Sequence, residues 1–310
     1  MALLREPLLA AARSTRLRGV AEKSRLTRPV VDRFVAGPTE PDVLRVTRAL
    51  VESGLSATLD FLGEDTTSRD QAEHTVAAYE SVLGALAGAG LAERAEVSVK
   101  LSAIGQSLPG DGEKIALDGA RRICAAAAAA ATTVTIDMED HTTTDSTLGI
   151  VRELRAEHPW VGTVLQAYLK RTEDDCRELA KAGSRVRLCK GAYAEPESVA
   201  FTGEAVDESY LRCLDVLLAG EGYPMIATHD PAMISAALQA VRRHGRTSDS
   251  FEFQMLFGVR PDEQRAIAGA GHRMRIYVPY GDEWYGYFMR RLAERPANLA
   301  FFLRSLSSKK

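Results

Sequence analysis

Polar side chains recur at the ends of short apolar runs along this chain. They are Lys100, Asp137, Glu139, Asp140, Gln166, Arg187, Lys190, Thr228, His229, Asp230, Gln254 and Tyr277. Carboxylate, guanidinium, ammonium and hydroxyl groups can bind and orient a charged substrate when they meet at one place. If each apolar run is a strand of one parallel sheet, these groups gather at its carboxyl edge. The pattern predicts an enzyme active site but does not specify the reaction.

A second candidate lies near the carboxyl terminus, in the sequence EWYGYFMRRLAE over 283–294. Tyr287, Arg290, Arg291 and Glu294 recur at helical spacing and share one face of a predicted helix. Adjacent arginines repel each other unless an anion compensates them, and a planar guanidinium can grip a carboxylate with two hydrogen bonds. These residues therefore fit a site for a substrate carboxylate. A solvated arginine pair on an outer helix is an equally good interpretation of the same pattern.

The elements that position these groups alternate between short β-type runs and longer amphipathic stretches. The predicted strands are 57–62, 97–102, 134–138, 163–168, 186–190, 225–228, 251–256 and 274–278. Eight β-then-α units in series predict a parallel sheet, and eight strands close a barrel. We predict an α/β fold, a (β/α)8 TIM-type barrel over 51–310 with an N-terminal helical arm over 1–50. A doubly wound sheet is the alternative, although no G-x-G-x-x-G follows a predicted strand.

Composition narrows the class of protein. The chain has 310 residues, of which 45% are apolar and 26% charged, as in a globular protein. Its net charge of −3 does not indicate nucleic-acid binding. The basic segment 1–33 is interpreted as a solvated helical face, and no apolar run is long enough to span a membrane. Four cysteines without metal-ligand spacing favour a reduced, cytoplasmic setting and no metal site.

Six motifs, in order along the chain, together resemble the proline dehydrogenase family. They are SVKLSAIG (98–105), TIDMED (135–140), RVRLCKGAY (185–193), IATHD (226–230), FEFQMLFG (251–258) and RIYVPYGDEWYGYFMRRLAE (275–294). DRFVAG (32–37) and TLDFLGE (58–64) resemble the short monofunctional bacterial form. The resemblance covers nearly the whole chain. It implies FAD bound on a distorted barrel, which agrees with the missing glycine fingerprint.

The resemblance also implies roles for particular residues. Lys100, Arg290 and Arg291 would hold the proline carboxylate, and Tyr193, Leu256 and Tyr277 would wall the pyrrolidine ring. Asp137 and Arg187 would form the catalytic pair near the flavin. The FAD contacts would be Met138, Gln166, Lys190, Gly191, Ala192, Thr228 and His229. Glu64, in the loop after the first strand, is a further hypothesis: a loop carboxylate that helps to close the site.

The implied activity is the oxidation of L-proline to 1-pyrroline-5-carboxylate, with hydride transfer to FAD and electrons passed to a quinone. It further implies a cytoplasmic protein with peripheral contact at the inner face of the membrane, and pyrroline-5-carboxylate dehydrogenase as a downstream partner. The residues alone leave three alternatives open. These are a metal-dependent barrel hydrolase, a lyase using Lys100 or Lys190 as a Schiff base, and a non-catalytic barrel that binds a ligand.

Overall fold

Eight parallel strands close into a barrel, in the order in which they occur in the chain. The computed structural model describes residues 28–63, 66–181, 184–285 and 287. The strands are Ser56–Phe61 (β1), Ala95–Val99 (β2), Val134–Ile136 (β3), Gly162–Gln166 (β4), Arg185–Cys189 (β5), Tyr223–Ala227 (β6), Glu252–Leu256 (β7) and Met274–Tyr280 (β8). The predicted barrel is therefore confirmed, with strand limits that shift by a few residues.

Helices connect successive strands, and two more precede β1. Among the described residues the α-helices are Arg28–Phe34 (α1), Glu40–Glu52 (α2), Arg69–Gly88 (α3), Gly112–Ala129 (α4), Thr144–Glu157 (α5), Thr172–Lys181 (α6), Glu204–Ala219 (α7), Pro231–Arg243 (α8) and Pro261–Gly269 (α9). Short 3-10 turns occupy Ser102–Ile104 and His141–Thr143. Gly37 and Pro38 lie between α1 and α2, and Thr39 and Asp42 cap the second helix reciprocally.

The apolar core lies outside the barrel wall, between the strands and the surrounding helices. Side chains alternate along each strand, so Val97, Leu188, Phe253 and Ile276 face outward and are buried against the helices. On these four strands the residues between them are polar and face the barrel axis, where side chains of non-adjacent strands meet. Met225 on β6, in register with Arg187, is apolar and faces the axis as well, so the interior is largely polar rather than filled by the branched apolar layers that are usual in such barrels.

Two predicted strand limits were wrong for identifiable reasons. β2 ends at Val99 because the Glu139 carboxylate accepts hydrogen bonds from the backbone N–H (3.0 Å) and hydroxyl of Ser102, which turns the chain. β8 continues to Tyr280 because the N–H of Leu62 donates to the carbonyl of Tyr280 (2.8 Å). Tyr277 thus lies within β8 rather than at its end.

Helix α1 packs at the barrel mouth, so residues 28–33 of the basic segment are not a wholly solvated face, while residues 1–27 lie outside the described ranges. Val31 and Val35 are buried against Leu62 and Tyr287, which follow β1 and β8. Where α1 meets the loop after β7, the backbone of Gly258 has φ +73° and a Cβ there would lie 1.9 Å from the Arg33 carbonyl oxygen. Only glycine fits this approach.

Candidate active site

A buried ion pair between Asp137 and Arg187 lies inside the barrel, near the carboxyl ends of the strands. Asp137 follows β3, and its Oδ1 accepts a hydrogen bond from Arg187 Nη1 at 2.6 Å. Ser98 on β2 donates to the same oxygen at 2.8 Å, and Gln254 on β7 accepts from Arg187 Nε at 2.6 Å. Three strands and the end of a fourth therefore fix one guanidinium. Its Nη2 is buried and has no hydrogen-bond partner within the described part of the chain.

Tyr277 completes this pair from β8. Its hydroxyl donates to Asp137 Oδ2 at 2.7 Å, and its ring lies 5.2 Å from the Arg187 guanidinium. Burial raises the pKa of Tyr277 well above its ordinary value, and the Asp137 and Asp60 carboxylates raise this pKa further. The phenol therefore stays protonated and remains a hydrogen-bond donor.

Lys100, which follows β2, is held by a carboxylate that the sequence did not single out. Its Nζ lies 2.8 and 2.7 Å from the two carboxylate oxygens of Asp60 on β1, and 3.5 Å from the Tyr277 hydroxyl. The Asp60 side chain is only 1% exposed, while that of Lys100 is 13% exposed. Asp60 thus fixes the position of the ammonium group at the mouth. We call Asp60, Lys100, Asp137, Arg187 and Tyr277 the mouth cluster.

The residues predicted to contact FAD lie on one half of the mouth, at the carboxyl ends of β3 to β6. They are Met138, Gln166, Lys190, Gly191, Ala192, Thr228 and His229. Gln166 donates to the Glu139 carbonyl at 2.7 Å, and the Thr228 hydroxyl accepts from the Asp230 N–H at 3.1 Å. Lys100, Leu256 and Tyr277 occupy the opposite half, and Leu256 pairs in register with Tyr277.

Two of these residues have partners that the sequence did not reveal. Lys190 lies 2.5 Å from Asp207 and 2.9 Å from Asp230. Burial alone would lower the pKa of Lys190, but hydrogen bonds to these carboxylates outweigh it and raise the pKa, so the ammonium stays charged. His229 accepts a hydrogen bond from the backbone N–H of Leu256 at 2.9 Å, which joins the two halves of the mouth.

The loop after β5 carries the remaining predicted contacts. Tyr193 is 37% exposed, unlike the other large aromatic side chains around the site. Gly191 has φ +111°, and a Cβ there would lie 2.4 Å from the ring of Tyr168. The packing of Tyr168 therefore requires glycine at this position, and the contact of Gly191 with FAD stays a prediction.

Several predicted residues lie outside the described ranges. These are Arg290 and Arg291, predicted to bind carboxylate, together with Glu64 and Glu294. Tyr287, on the same predicted helix face, is 6% exposed and packs against α1. Among the described residues, no group of three or more His, Cys, Asp or Glu side chains is arranged to hold a metal ion. No helix in those same ranges is long and apolar enough to cross a membrane.

A polar barrel interior whose groups converge at the carboxyl ends of the strands defines the class of protein, a (β/α)8-barrel enzyme. The family model for proline dehydrogenase matches residues 43–304. Proline dehydrogenase 1 of Bacillus subtilis (strain 168) is 40% identical over 284 residues, covering 91% of this chain and 92% of the relative. Proline dehydrogenase of Deinococcus radiodurans is 40% identical over 282 residues, with 89% and 90% covered.

A solved structure agrees with these relatives. Proline utilization A (PutA) from Bdellovibrio bacteriovorus, inactivated by N-propargylglycine, superposes with a TM-score of 0.79 at 25% identity. The match covers 88% of this chain and 33% of that longer chain. The chain therefore belongs to the proline dehydrogenase family. As a member it is an oxidoreductase and a flavoprotein, and the hydrolase, lyase and non-catalytic alternatives are not favoured.

Proposed function

We propose that this protein oxidises L-proline to 1-pyrroline-5-carboxylate, with FAD as the hydride acceptor and a quinone as the acceptor of the electrons. Family membership supports the substrate. The observation that supports the cofactor is Arg187, a buried guanidinium held by Asp137 and Gln254, whose Nη2 has no hydrogen-bond partner among the described residues. A buried donor of this kind fits an acceptor that a bound ligand would supply.

The donor set around Arg187 fits a flavin. FAD, when bound, supplies a ring system that accepts a hydride and carries negative charge after reduction. A fixed guanidinium at a dry site stabilises such charge without rearranging during the reaction. The residues that would hold the cofactor are Met138, Gln166, Lys190, Gly191, Ala192, Thr228 and His229. All lie at the ends of four adjacent strands, on the half of the mouth next to Arg187.

The opposite half fits a small amino acid with a ring. Lys100 would attract the proline carboxylate, together with Arg290 and Arg291. Leu256 and Tyr277, side by side on β7 and β8, would pack against the pyrrolidine ring, with Tyr193 closing it from the loop after β5. These residues orient C5 of proline and exclude water, and the amine enters deprotonated.

The path of the electrons beyond the flavin rests on the resemblance alone. We propose that a membrane quinone accepts them during peripheral contact of this otherwise cytoplasmic protein with the inner face of the membrane. We propose further that pyrroline-5-carboxylate dehydrogenase consumes the product.

The visible spectrum of the purified protein tests the cofactor and the substrate together. We expect FAD absorption that bleaches under anaerobic conditions when L-proline is added. Pyrrolidine, which has the ring but no carboxylate, should bleach it poorly, whereas tetrahydro-2-furoic acid should compete with proline. Protein that lacks flavin and also refuses added FAD contradicts the proposal. Strong competition by pyrrolidine together with no competition by tetrahydro-2-furoic acid would contradict the proposed binding site for the carboxylate.

The two arginines of the last helix provide a mutational test. Arg290→Ala and Arg291→Ala should each lower kcat/KM for proline by about 2–4 kcal/mol, because each removes a charge-assisted bond to the carboxylate. Arg242→Ala is a matched control, since Arg242 belongs to another adjacent arginine pair, at the end of α8, whose members are both exposed. Near-normal kcat/KM in both test variants would favour the alternative interpretation, in which Arg290 and Arg291 form a solvated pair on an outer helix.

A further inference from the structure

The loop between β5 and α7 carries four predicted site residues, from Lys190 to Tyr193, yet it is a long segment without regular structure. A loop of this kind places a side chain reliably only if other elements hold it. Tyr193 and its two neighbours, Ala192 and Ala194, are exposed. We call 191–194 the arch, and the contacts that fix it lie on either side.

A single residue, Tyr168 at the end of β4, contacts this loop through its backbone, its ring and its hydroxyl. Its N–H donates to the Lys190 carbonyl at 2.9 Å, and its carbonyl accepts from the Phe201 N–H at 2.7 Å. Its ring lies where a side chain on Gly191 would be. Its hydroxyl donates to Glu195 at 3.2 Å. Tyr168 therefore contacts the loop on both sides of the arch, at Lys190 and Gly191 before it and at Glu195 after it.

Glu195 is the second fixed point, and it is unusual for a loop residue at a barrel mouth. Its side chain is only 3% exposed. One carboxylate oxygen accepts from the backbone N–H of His141 at 2.9 Å and from the Tyr168 hydroxyl, and the other contacts His141 Nδ1. A buried carboxylate is retained where such hydrogen bonds satisfy it. Glu195 thus joins the loop after β5 to the turn after β3.

The Tyr168 hydroxyl is suited to this role because it remains a donor. Burial raises the pKa of Tyr168, and the charge of Glu195 raises it further. The net effect is a phenol that stays protonated and keeps its hydrogen bond to Glu195.

We propose that Tyr168 and Glu195 are positioning residues, which set the arch so that the Tyr193 ring meets the substrate. The expected effect on catalysis rests on the proposed function, in which Tyr193 packs against the pyrrolidine ring of proline. The structural part of the inference, that these two side chains hold the arch, is independent of proline and FAD. The two parts can be measured separately.

Tyr168→Phe and Glu195→Gln test the inference with little change in shape. Tyr168→Phe keeps the ring beneath Gly191 but removes the hydroxyl, and Glu195→Gln keeps one acceptor oxygen but removes the charge. Each should raise the hydrogen exchange rate of the backbone amides over 191–195 by about 5- to 10-fold, the effect of losing one hydrogen bond. Glu197→Gln, in an exposed position of the same loop, is the matched control.

Steady-state kinetics supply the second measurement. In both variants the proline KM should rise by about 5- to 10-fold while kcat changes by less than about twofold, because Tyr193 contacts the ring in the ground state and the transition state alike. The double variant should lose less than the sum of the two single variants, since both remove part of the hydrogen bond that Tyr168 and Glu195 share. Flavin content should match the parent protein.

The outcomes separate the inference from the proposed function. Exchange rates over 191–195 that equal those of the Glu197→Gln control overturn the positioning role, whatever the kinetics show. Faster exchange with an unchanged proline KM overturns the link between the arch and the substrate. A parent protein that proline does not bleach overturns the function, while the exchange measurement still decides whether these residues hold the loop.

Discussion

The barrel interior holds two charged clusters at different depths, and they are more alike than their roles suggest. Near the amino ends of the strands, Glu96, Arg185, Glu252 and Arg275 form what we call the floor cluster. Arg185 lies 2.7 Å from Glu96, and Arg275 lies 2.7 Å from Glu252. The mouth cluster has the same composition of two carboxylates and two cations, and its ion pairs are equally buried.

Charge balance and burial therefore do not separate a structural cluster from a catalytic one in this barrel. A perturbed pKa does not separate them either. Burial alone would raise the pKa of Glu96, but the Arg185 and Arg275 guanidiniums and the Thr133 hydroxyl hold it well below its ordinary value. Strongly shifted groups often mark active sites, yet this one is at the floor. Position relative to the strand ends is the feature that distinguishes the two clusters.

The largest effect is expected at the floor. Glu96→Gln should lower the free energy of unfolding by about 3–5 kcal/mol, because it leaves Arg185 buried without its anion, while Arg275 keeps only Glu252. The activity of the folded variant should stay within about twofold of the parent, since the floor is not at the carboxyl ends of the strands. Denaturant unfolding followed by circular dichroism measures the first quantity, and proline oxidation at low temperature measures the second.

Acid provides a check on the same pair of proteins. The folded-state pKa of Glu96 lies below its ordinary value of 4.5, so its contribution to stability is present above that pH. This contribution is lost as the pH falls from 4.5 through the folded-state value. The stability difference between parent and Glu96→Gln should therefore shrink below about pH 4.5. A difference that stays constant down to pH 3, about 1.5 units lower, would assign it to packing rather than charge.

At the mouth we expect a substitution to lower activity more than stability, the reverse of the expectation for the floor. Arg187→Lys keeps the positive charge but loses the fork that contacts Asp137 and Gln254 together. We expect kcat/KM to fall by about 2–4 kcal/mol with about 1 kcal/mol of stability lost. Arg275→Lys at the floor is the matched control, with the larger effect expected on stability. Equal activity losses in the two variants would end the distinction between floor and mouth.

The two clusters also differ in how far their residues could be predicted from the sequence. The eight strands were predictable from their apolar runs, and Asp137 and Arg187 from their place near strand ends. Asp60 and Glu96 were missed because their partners are distant in the chain; Asp60 and Lys100 are 40 residues apart. A signal was present in EVSVK, RVRLC, EFQML and RIYVP, where polar residues alternate with apolar ones. Parallel strands are expected to be apolar throughout, so this alternation was not recognised as a polar interior.

The contacts between loops could not be predicted from the sequence for a different reason. Glu195 and Tyr168 carry no periodic signal, since neither lies within a strand, and their contact depends on how three loops meet. Gly191 was predicted as a cofactor contact from its motif, whereas its packing against the Tyr168 ring had no signal in the sequence. Sequence patterns locate strands and their ends, whereas contacts between separate loops require coordinates.

The smallest effect is expected from Tyr277→Phe. The variant keeps the ring beside Arg187 and loses only the hydroxyl that donates to Asp137 Oδ2. Asp137 retains hydrogen bonds from Arg187 and Ser98, so its charge remains compensated. One lost hydrogen bond to a charged group should lower kcat/KM by about 1–1.5 kcal/mol, or roughly 5- to 13-fold. Stopped-flow flavin reduction by proline measures this directly.

Tyr280→Phe is the matched control for that substitution. Tyr280 is also buried on β8, but its position alternates with that of Tyr277, which puts it on the outer side of the wall. The same atom is removed, so a general effect of losing a buried phenol on this strand would appear in both variants. We expect Tyr280→Phe to reduce flavin at the parental rate within about twofold, because Tyr280 faces away from the barrel axis where the mouth cluster lies.

Because burial keeps the Tyr277 phenol protonated, the pH profiles of parent and Tyr277→Phe should be parallel up to pH 10, the ordinary pKa of a tyrosine. Profiles that diverge below that value would mean that Tyr277 ionises during catalysis, and the mouth cluster would then differ from the floor in proton transfer as well as in position.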